Sequence, residues 1–397
     1  MKARGVVRWG VPMNYVFYSV VAFLLGAEAL LAAPSAVGNQ TSVPMPSDRA
    51  RIRVVEIPDV RNPAQKLKVL RTDADTPLRA GTAWLWSQEP QEPPATYYSE
   101  MRKAGLNAVR LILFDVWIHE EGWKKYDWNS PAYRREMLAR IERAVNHCSA
   151  NGLYAIINAH NRVPGPYPKY DEKLNADLWT EVAAHFANRT HVAYELSNEP
   201  ITGPGKDGEL EPEAMSTLQA LVRVHAVARR LAPDTHIMIL TPAGVSGWGT
   251  TTAMSNLTRK FENLAGRIDW TRTSVAYHLY HADTNLFPKA ENVRAFHADF
   301  PAWPSENNFP PGFPADKIGV KDGDGERSVR FGADEFVMET CERLGLGWSQ
   351  WHINGPAQFA QNWPILSADA VAKGYAWKPD RETGQKPPTS DESSDHR

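Results

Sequence analysis

Glu199 stands at the end of the segment HVAYELSNE, residues 191–199, with Asn198 beside it and Pro200 directly after. Apolar residues alternate through the first half of that segment as they do in a strand, where successive side chains point to opposite faces. Glu195, Ser197 and Glu199 therefore share one face, and Pro200 ends the ladder where a loop begins. A second carboxylate, Glu306, closes another short run, PAWPSEN at 301–307. Two carboxylates delivered to one rim by different strands suit cleavage of a glycosidic bond. One is protonated and donates to the leaving oxygen; the other is ionised and attacks the anomeric carbon, with the pair about 5–5.5 Å apart. Such a division requires surroundings that hold the two protonation states apart.

Other polar groups end or cross the remaining apolar runs. His160 closes YAIINAH, His278 and Tyr280 close SVAYHLY, Arg110 lies inside NAVRLILF, and Trp351 lies inside LGWSQWHI. Arg110 and Tyr280 are placed to keep Glu306 ionised by charge and hydrogen bonding. His160 and His278 are expected to bind sugar hydroxyls, and Trp351 to stack on a sugar ring. Trp84, Trp86, Trp117 and Trp248 also fall at or just past run ends. Glu195 lies deeper and is expected to be a charge paired inside the fold. The rival for Glu306 is Glu339, which sits mid-helix too close to Trp351 to leave room for a helix end and a strand. Neither an HExxH nor a Cys/His cluster occurs, so no metal is expected. The chain also lacks GxSxG and an early GxGxxG, which weakens serine-hydrolase and dinucleotide readings, and no cofactor is expected.

The elements that must position these groups are legible as eight short Val/Ile/Leu-rich runs, at 79–86, 107–114, 154–160, 191–199, 236–242, 274–280, 301–307 and 346–353. Helical stretches separate most of them. Residues 130–152 begin at a candidate cap, Ser130, and stop at Asn151-Gly152; 212–233 and 331–345 behave similarly. Eight strands alternating with helices predict an α/β fold, a parallel (β/α)8 barrel with its site at the C-terminal ends of the strands. An open doubly wound sheet is the alternative. Residues 51–78 are expected to form a small β hairpin covering the barrel floor, and 308–330 an irregular loop. Cys148 and Cys341 fall on helices before different strands, so no disulfide is expected.

The 397 residues carry a net charge of −2 and 43% hydrophobic residues, a balance that leaves no electrostatic footprint for nucleic acid. Lys2, Arg4 and Arg8 precede an apolar run at 15–33 and then small residues, the outline of a signal peptide over 1–33. An uncleaved anchor is the rival reading; Glu28 inside the run favours cleavage, after which no membrane span remains. Residues 34–50 read as a linker, 51–375 as one catalytic domain and 376–397 as a polar, disordered tail. The expected product is a secreted or periplasmic monomer acting on carbohydrate.

The segment Tyr194–Pro200, YELSNEP, resembles the signature of glycoside hydrolase family 5, the cellulase family within clan A of retaining glycosidases. Arg110, His160, His278-x-Tyr280, Trp351 and the segment DTPLRAGTAWLW beginning near residue 76 extend the resemblance over roughly residues 52–375. It implies that Glu199 is the acid/base, Asn198 the ligand of the sugar 2-hydroxyl and Glu306 the nucleophile. It also implies a β-linked polysaccharide substrate, β-1,4-glucan first, with mannan or β-1,3-glucan as alternatives. The flank of Glu306 departs from the family pattern: Asn307-Asn308 stand where an aromatic and a glycine are usual. That departure keeps open a catalytically weak carbohydrate-binding protein on the same barrel.

Overall fold

The computed structural model describes residues 49–85, 92–103, 105–113, 130–160, 170–201, 209–240, 251–278, 290–306, 341–342 and 344–350. The segments read as a signal peptide and as a polar tail, along with Tyr280, Trp351, Glu339, Trp86, Trp117 and Trp248, lie outside the described residues.

A hairpin comes first, β1 (Arg53–Pro58) and β2 (Lys66–Arg71). Then β3 (Arg79–Trp84), α1 (Ala95–Lys103), β4 (Ala108–Ile112), α2 (Pro131–Ala150), β5 (Tyr154–Asn158), α3 (Glu172–Phe186) and β6 (Val192–Glu195) alternate. The second half continues with α4 (Pro212–Leu231), β7 (His236–Leu240), α5 (Thr251–Ala265), β8 (Thr273–His278), α6 (Ala290–Asp299), β9 (Ala302–Glu306) and β10 (Trp348–Ser349).

Strands β3 to β9 pair in parallel, each with the next in sequence. Strand β10 returns to pair in parallel with β3 and packs against β9, which makes the eight-stranded barrel. Its closure depends on close backbone approach. The Leu78 carbonyl accepts from Trp348 N at 2.8 Å and from the Trp303 indole at 3.1 Å. A Cβ on Gly347 would lie 2.4 Å from that carbonyl oxygen and 2.9 Å from the indole nitrogen, so only glycine fits.

Helices α2 and α3 start at side-chain caps. Ser130 accepts from Tyr133 N at the head of α2 with Pro131 in its first turn, and Asp171 accepts from Leu174 N at the head of α3. Gly152 follows α2 at φ +64°, a left-handed turn that returns the chain to β5. The apolar faces of these helices and the outward strand residues, such as Leu111, Ile157 and Tyr194, form the larger core.

A second cluster fills the barrel interior: Leu78, Ala80, Ala108, Tyr154, Ile156, Ala193, Met238, Ala276 and Trp303, joined by Ile52 and Leu70. The segment before β1 seals that end. Tyr154 donates to the Ala50 carbonyl at 2.6 Å, and the Arg49 guanidinium lies 4.2 Å over the Tyr154 ring. The hairpin does more than cover the floor as expected. Val69 of β2 pairs with Ala302 of β9 in parallel, so the hairpin is stitched onto the barrel sheet. Cys148 and Cys341 are free, buried thiols, and burial pushes both well above the ordinary thiol range.

Candidate active site

Strand alternation sets the interior layers. Ala108 faces inward on β4, so Arg110 does as well, two residues further along; Ala193 and Glu195 repeat the pattern on β6. Arg110 and Glu195 thus meet inside the barrel, both wholly buried. Arg110 donates from Nε to Glu195 Oε2 at 2.5 Å and from Nη2 to Glu195 Oε1 at 3.0 Å, a two-pronged pair. Its Nη1 donates to Glu306 Oε1, and Nη2 also donates to Asn198 Oδ1 at 2.9 Å. Burial alone would depress the Arg110 guanidinium, but the fields of Glu195 and Glu306 outweigh it and raise Arg110 above its ordinary value.

Glu306 reaches this guanidinium through an irregularity in β9. Trp303 faces the interior and Pro304 lies opposite the outward Tyr277; strict alternation would then turn Ser305 in and Glu306 out. The register shifts between Tyr277 and His278, so that His278 pairs with Glu306 and Ser305 is passed over. That bulge turns the Glu306 carboxylate into the barrel. Pro304 has no N–H to give to the ladder immediately before the shift.

Glu199 reaches the same place by a turn. Leu196 N donates to Met238 O at 3.1 Å and Asn198 N to Ala159 O at 2.9 Å, after which Glu199 takes φ +41°. A side-chain-bearing residue in the left-handed region is held there by its surroundings. The turn brings two consecutive side chains, Asn198 and Glu199, into the mouth where a strand would show only one. His278 Nδ1 lies between the two acids, 2.8 Å from Glu199 Oε1 and 3.2 Å from Glu306 Oε2. Glu306 is 2% exposed and Glu199 17%, so the acids share a histidine but differ in access to solvent and in contact with Arg110.

A chain of hydrogen bonds orients Asn198. A guanidinium only donates, so the Asn198 atom facing Arg110 is the carbonyl oxygen. Its amide then faces His160 Nε2 at 3.0 Å, which must accept. The His160 proton accordingly sits on Nδ1 and is donated to Asn158 Oδ1 at 3.0 Å. Both nitrogens of His160 are engaged, so it supports Asn198, where the sequence had pointed to a sugar ligand. Trp84 lies edge-on to the His160 ring with centroids 6.2 Å apart.

Arg110, His160, Asn198, Glu199, His278 and Glu306, which the sequence singles out, therefore converge at the C-terminal ends of the strands. Tyr280 and Trp351 lie outside the described residues. Asn158 was not anticipated; its position two residues before His160, on the same strand face, is the signal that could have found it. One donor atom each from Glu199, His278 and Glu306 lie within 4.8 Å of one another, close enough to share a cation. Arg110 takes one oxygen of Glu306, and His278 Nδ1 faces an oxygen of each acid.

A model of the Cellulase (glycosyl hydrolase family 5) domain matches residues 69–356. The chain belongs to glycosyl hydrolase family 5. Endoglucanase E-5 of Thermobifida fusca is 25% identical over 270 residues, 67% of this chain and 49% of that protein. Endoglucanase A of Ruminococcus albus is 32% identical over 107 residues, 25% of this chain and 29% of that one. This family 5 chain thus spans about half or less of the length of these curated relatives. Among solved structures, a thermostable, halotolerant GH5 cellulase from an Icelandic hot spring isolate superposes with a TM-score of 0.51 at 16% identity. That match covers 83% of this chain and 96% of the other, and it supports the barrel fold.

Proposed function

We propose that this family 5 barrel is a retaining glycoside hydrolase that cleaves a β-1,4-glucan internally. In the first step the ionised Glu306 attacks the anomeric carbon while Glu199 protonates the departing oxygen. In the second, Glu199 takes a proton from water, which releases the sugar from Glu306. Arg110 favours the ionised form of Glu306, and Asn198 presents its amide to the sugar 2-hydroxyl.

The observation that carries this reading is the unequal treatment of two neighbouring carboxylates. Glu306 is 2% exposed and held by the Arg110 guanidinium, whereas Glu199 is 17% exposed and faces the shared imidazole of His278. Carboxylates that share one imidazole nitrogen fit the short separation of a retaining enzyme better than the roughly 6.5–9.5 Å that an inverting enzyme needs for its water. The choice of β-1,4-glucan is supported by the endoglucanase relatives of this chain.

The test is reducing-sugar release from carboxymethyl-cellulose, β-1,3-glucan, mixed-linkage glucan, mannan, xylan and xyloglucan. Glu199→Gln and Glu306→Gln are assayed beside the unaltered protein. Release from carboxymethyl-cellulose, abolished in both variants, is the expected result. Turnover of mannan alone would correct the substrate. Binding without turnover on every polymer would leave a carbohydrate-binding protein.

A further inference from the structure

We propose that Glu195 is a positioning residue for this reaction: from beneath the site its carboxylate clamps Arg110 by two hydrogen bonds, aims the guanidinium at Glu306 and offsets its charge. The inference rests on the assignment of Glu306 as nucleophile. It assigns a function to a residue that composition alone would leave as a buried structural charge.

The geometry excludes a passive ion pair in three respects. Glu195 meets Arg110 with both oxygens, at 2.5 Å and 3.0 Å, which fixes the plane of the guanidinium as well as its place. Two other donors of that plane go to Glu306 and Asn198, both at the mouth. Arg110 therefore links Glu195 to the nucleophile and to Asn198 together. Finally, Glu195 is wholly buried one layer below the mouth, so it cannot touch the sugar and its influence must pass through Arg110.

Charge gives the inference its sign. Among the described residues, the charged and titratable groups facing Glu306 include Arg110 from β4, Glu195 from β6 through Arg110, Glu199 after β6, and His278 from β8; His160 from β5 is reached through Asn198. Glu195 and Glu306 compete for one cation. Removing the Glu195 charge while keeping its shape leaves Arg110 entirely to Glu306, so Glu306 stays ionised to lower pH and is a weaker nucleophile.

The experiment is the pH dependence of kcat and KM on a soluble β-glucan oligomer for the full chain and for Glu195→Gln, Glu195→Asp and Glu306→Gln. In Glu195→Gln the acidic limb of kcat/KM should move to lower pH by about one unit, with kcat lowered about tenfold and KM little changed. Glu195→Asp, which keeps the charge and shortens the reach, should leave the limb in place. An unmoved or upward-moving limb in Glu195→Gln, with Glu306→Gln inactive, would overturn the role of Glu195 alone. An active Glu306→Gln enzyme would overturn the nucleophile assignment and the inference with it. Thermal melting of each variant separates a loss of folded protein, which scales activity equally at all pH, from a displaced limb.

Discussion

Arg110→Met tests the electrostatic core of the site. The methionine roughly fills the space of the side-chain stem but removes the guanidinium that donates to Glu195, Glu306 and Asn198. Both acids are almost wholly buried, so the variant keeps two carboxylates in the barrel without their shared cation. Breaking a buried pair from one side costs about 3–5 kcal/mol. The cost must depend on pH, because the folded variant relieves it by binding a proton. Its buried acids titrate above the unfolded value of about 4.3, so stability is recovered as pH falls toward that value and lost as pH rises. One extra proton bound by the folded state is worth up to about 2.7 kcal/mol across two pH units. Urea denaturation at pH 7 and pH 5, with the unaltered protein as reference, should show a large destabilisation at pH 7 that shrinks at pH 5. Activity at pH 7 should fall at least about 10²-fold. A destabilisation below about 1 kcal/mol, or one of equal size at both pH values, would refute the reasoning.

Further outcomes follow from other parts of the molecule. Burial depresses His191, His225 and His297 to about 4 and His236 to about 3, so each folds neutral. Their contribution is present above the unfolded value of about 6.5 and is lost as pH falls through the folded values; Tm should drop between pH 6.5 and 4, measured by circular dichroism. Gly347→Ala forces a methyl group against the Leu78 carbonyl and should cost about 1–3 kcal/mol in denaturant titration. Asn158→Leu frees the tautomer of His160 and should lower kcat about tenfold with Tm little changed, since Asn198 loses its fixed orientation. Exhaustive treatment with a chelator should leave sugar release unchanged, because the proposed chemistry runs on carboxylates alone.

Much of this architecture was legible because it is local. The strand β6 and its turn show in one short segment, where alternation, Asn198-Glu199 and Pro200 occur together. Strand starts and stops fall within a few residues of the expected runs, since Ser130, Gly152 and Pro212 punctuate the helices between them. What stayed hidden depends on pairing between distant strands. Nothing in PAWPSEN announces that β9 shifts register against β8, yet that shift decides whether Glu306 faces the interior or the helices. The dual service of Arg110, to Glu195 and Glu306, joins residues 85 and 196 positions away in sequence. His278 was read as a sugar ligand from its place at a strand end. Its location between two carboxylates emerges only once β6, β8 and β9 are side by side.

The histidine between the two acids also ties their positions together. One imidazole nitrogen lies 2.8 Å from Glu199 Oε1 and 3.2 Å from Glu306 Oε2, so a single side chain of β8 sets the spacing of the two acids. Glu199 sits on a left-handed backbone, so its reach into this arrangement is set by the turn after β6 as much as by its own rotamer.

The central claim is that Glu306 is the nucleophile of a double displacement. The direct measurement is to incubate the protein with a 2-deoxy-2-fluoro-β-cellobioside carrying a dinitrophenyl leaving group, which slows the second step, and to map the labelled peptide by mass spectrometry. The account predicts one fluorocellobiosyl group per chain, carried on Glu306, with a burst of dinitrophenol of equal amount. A label on any other residue, or hydrolysis that proceeds without a trapped intermediate and releases the inverted anomer, would contradict it.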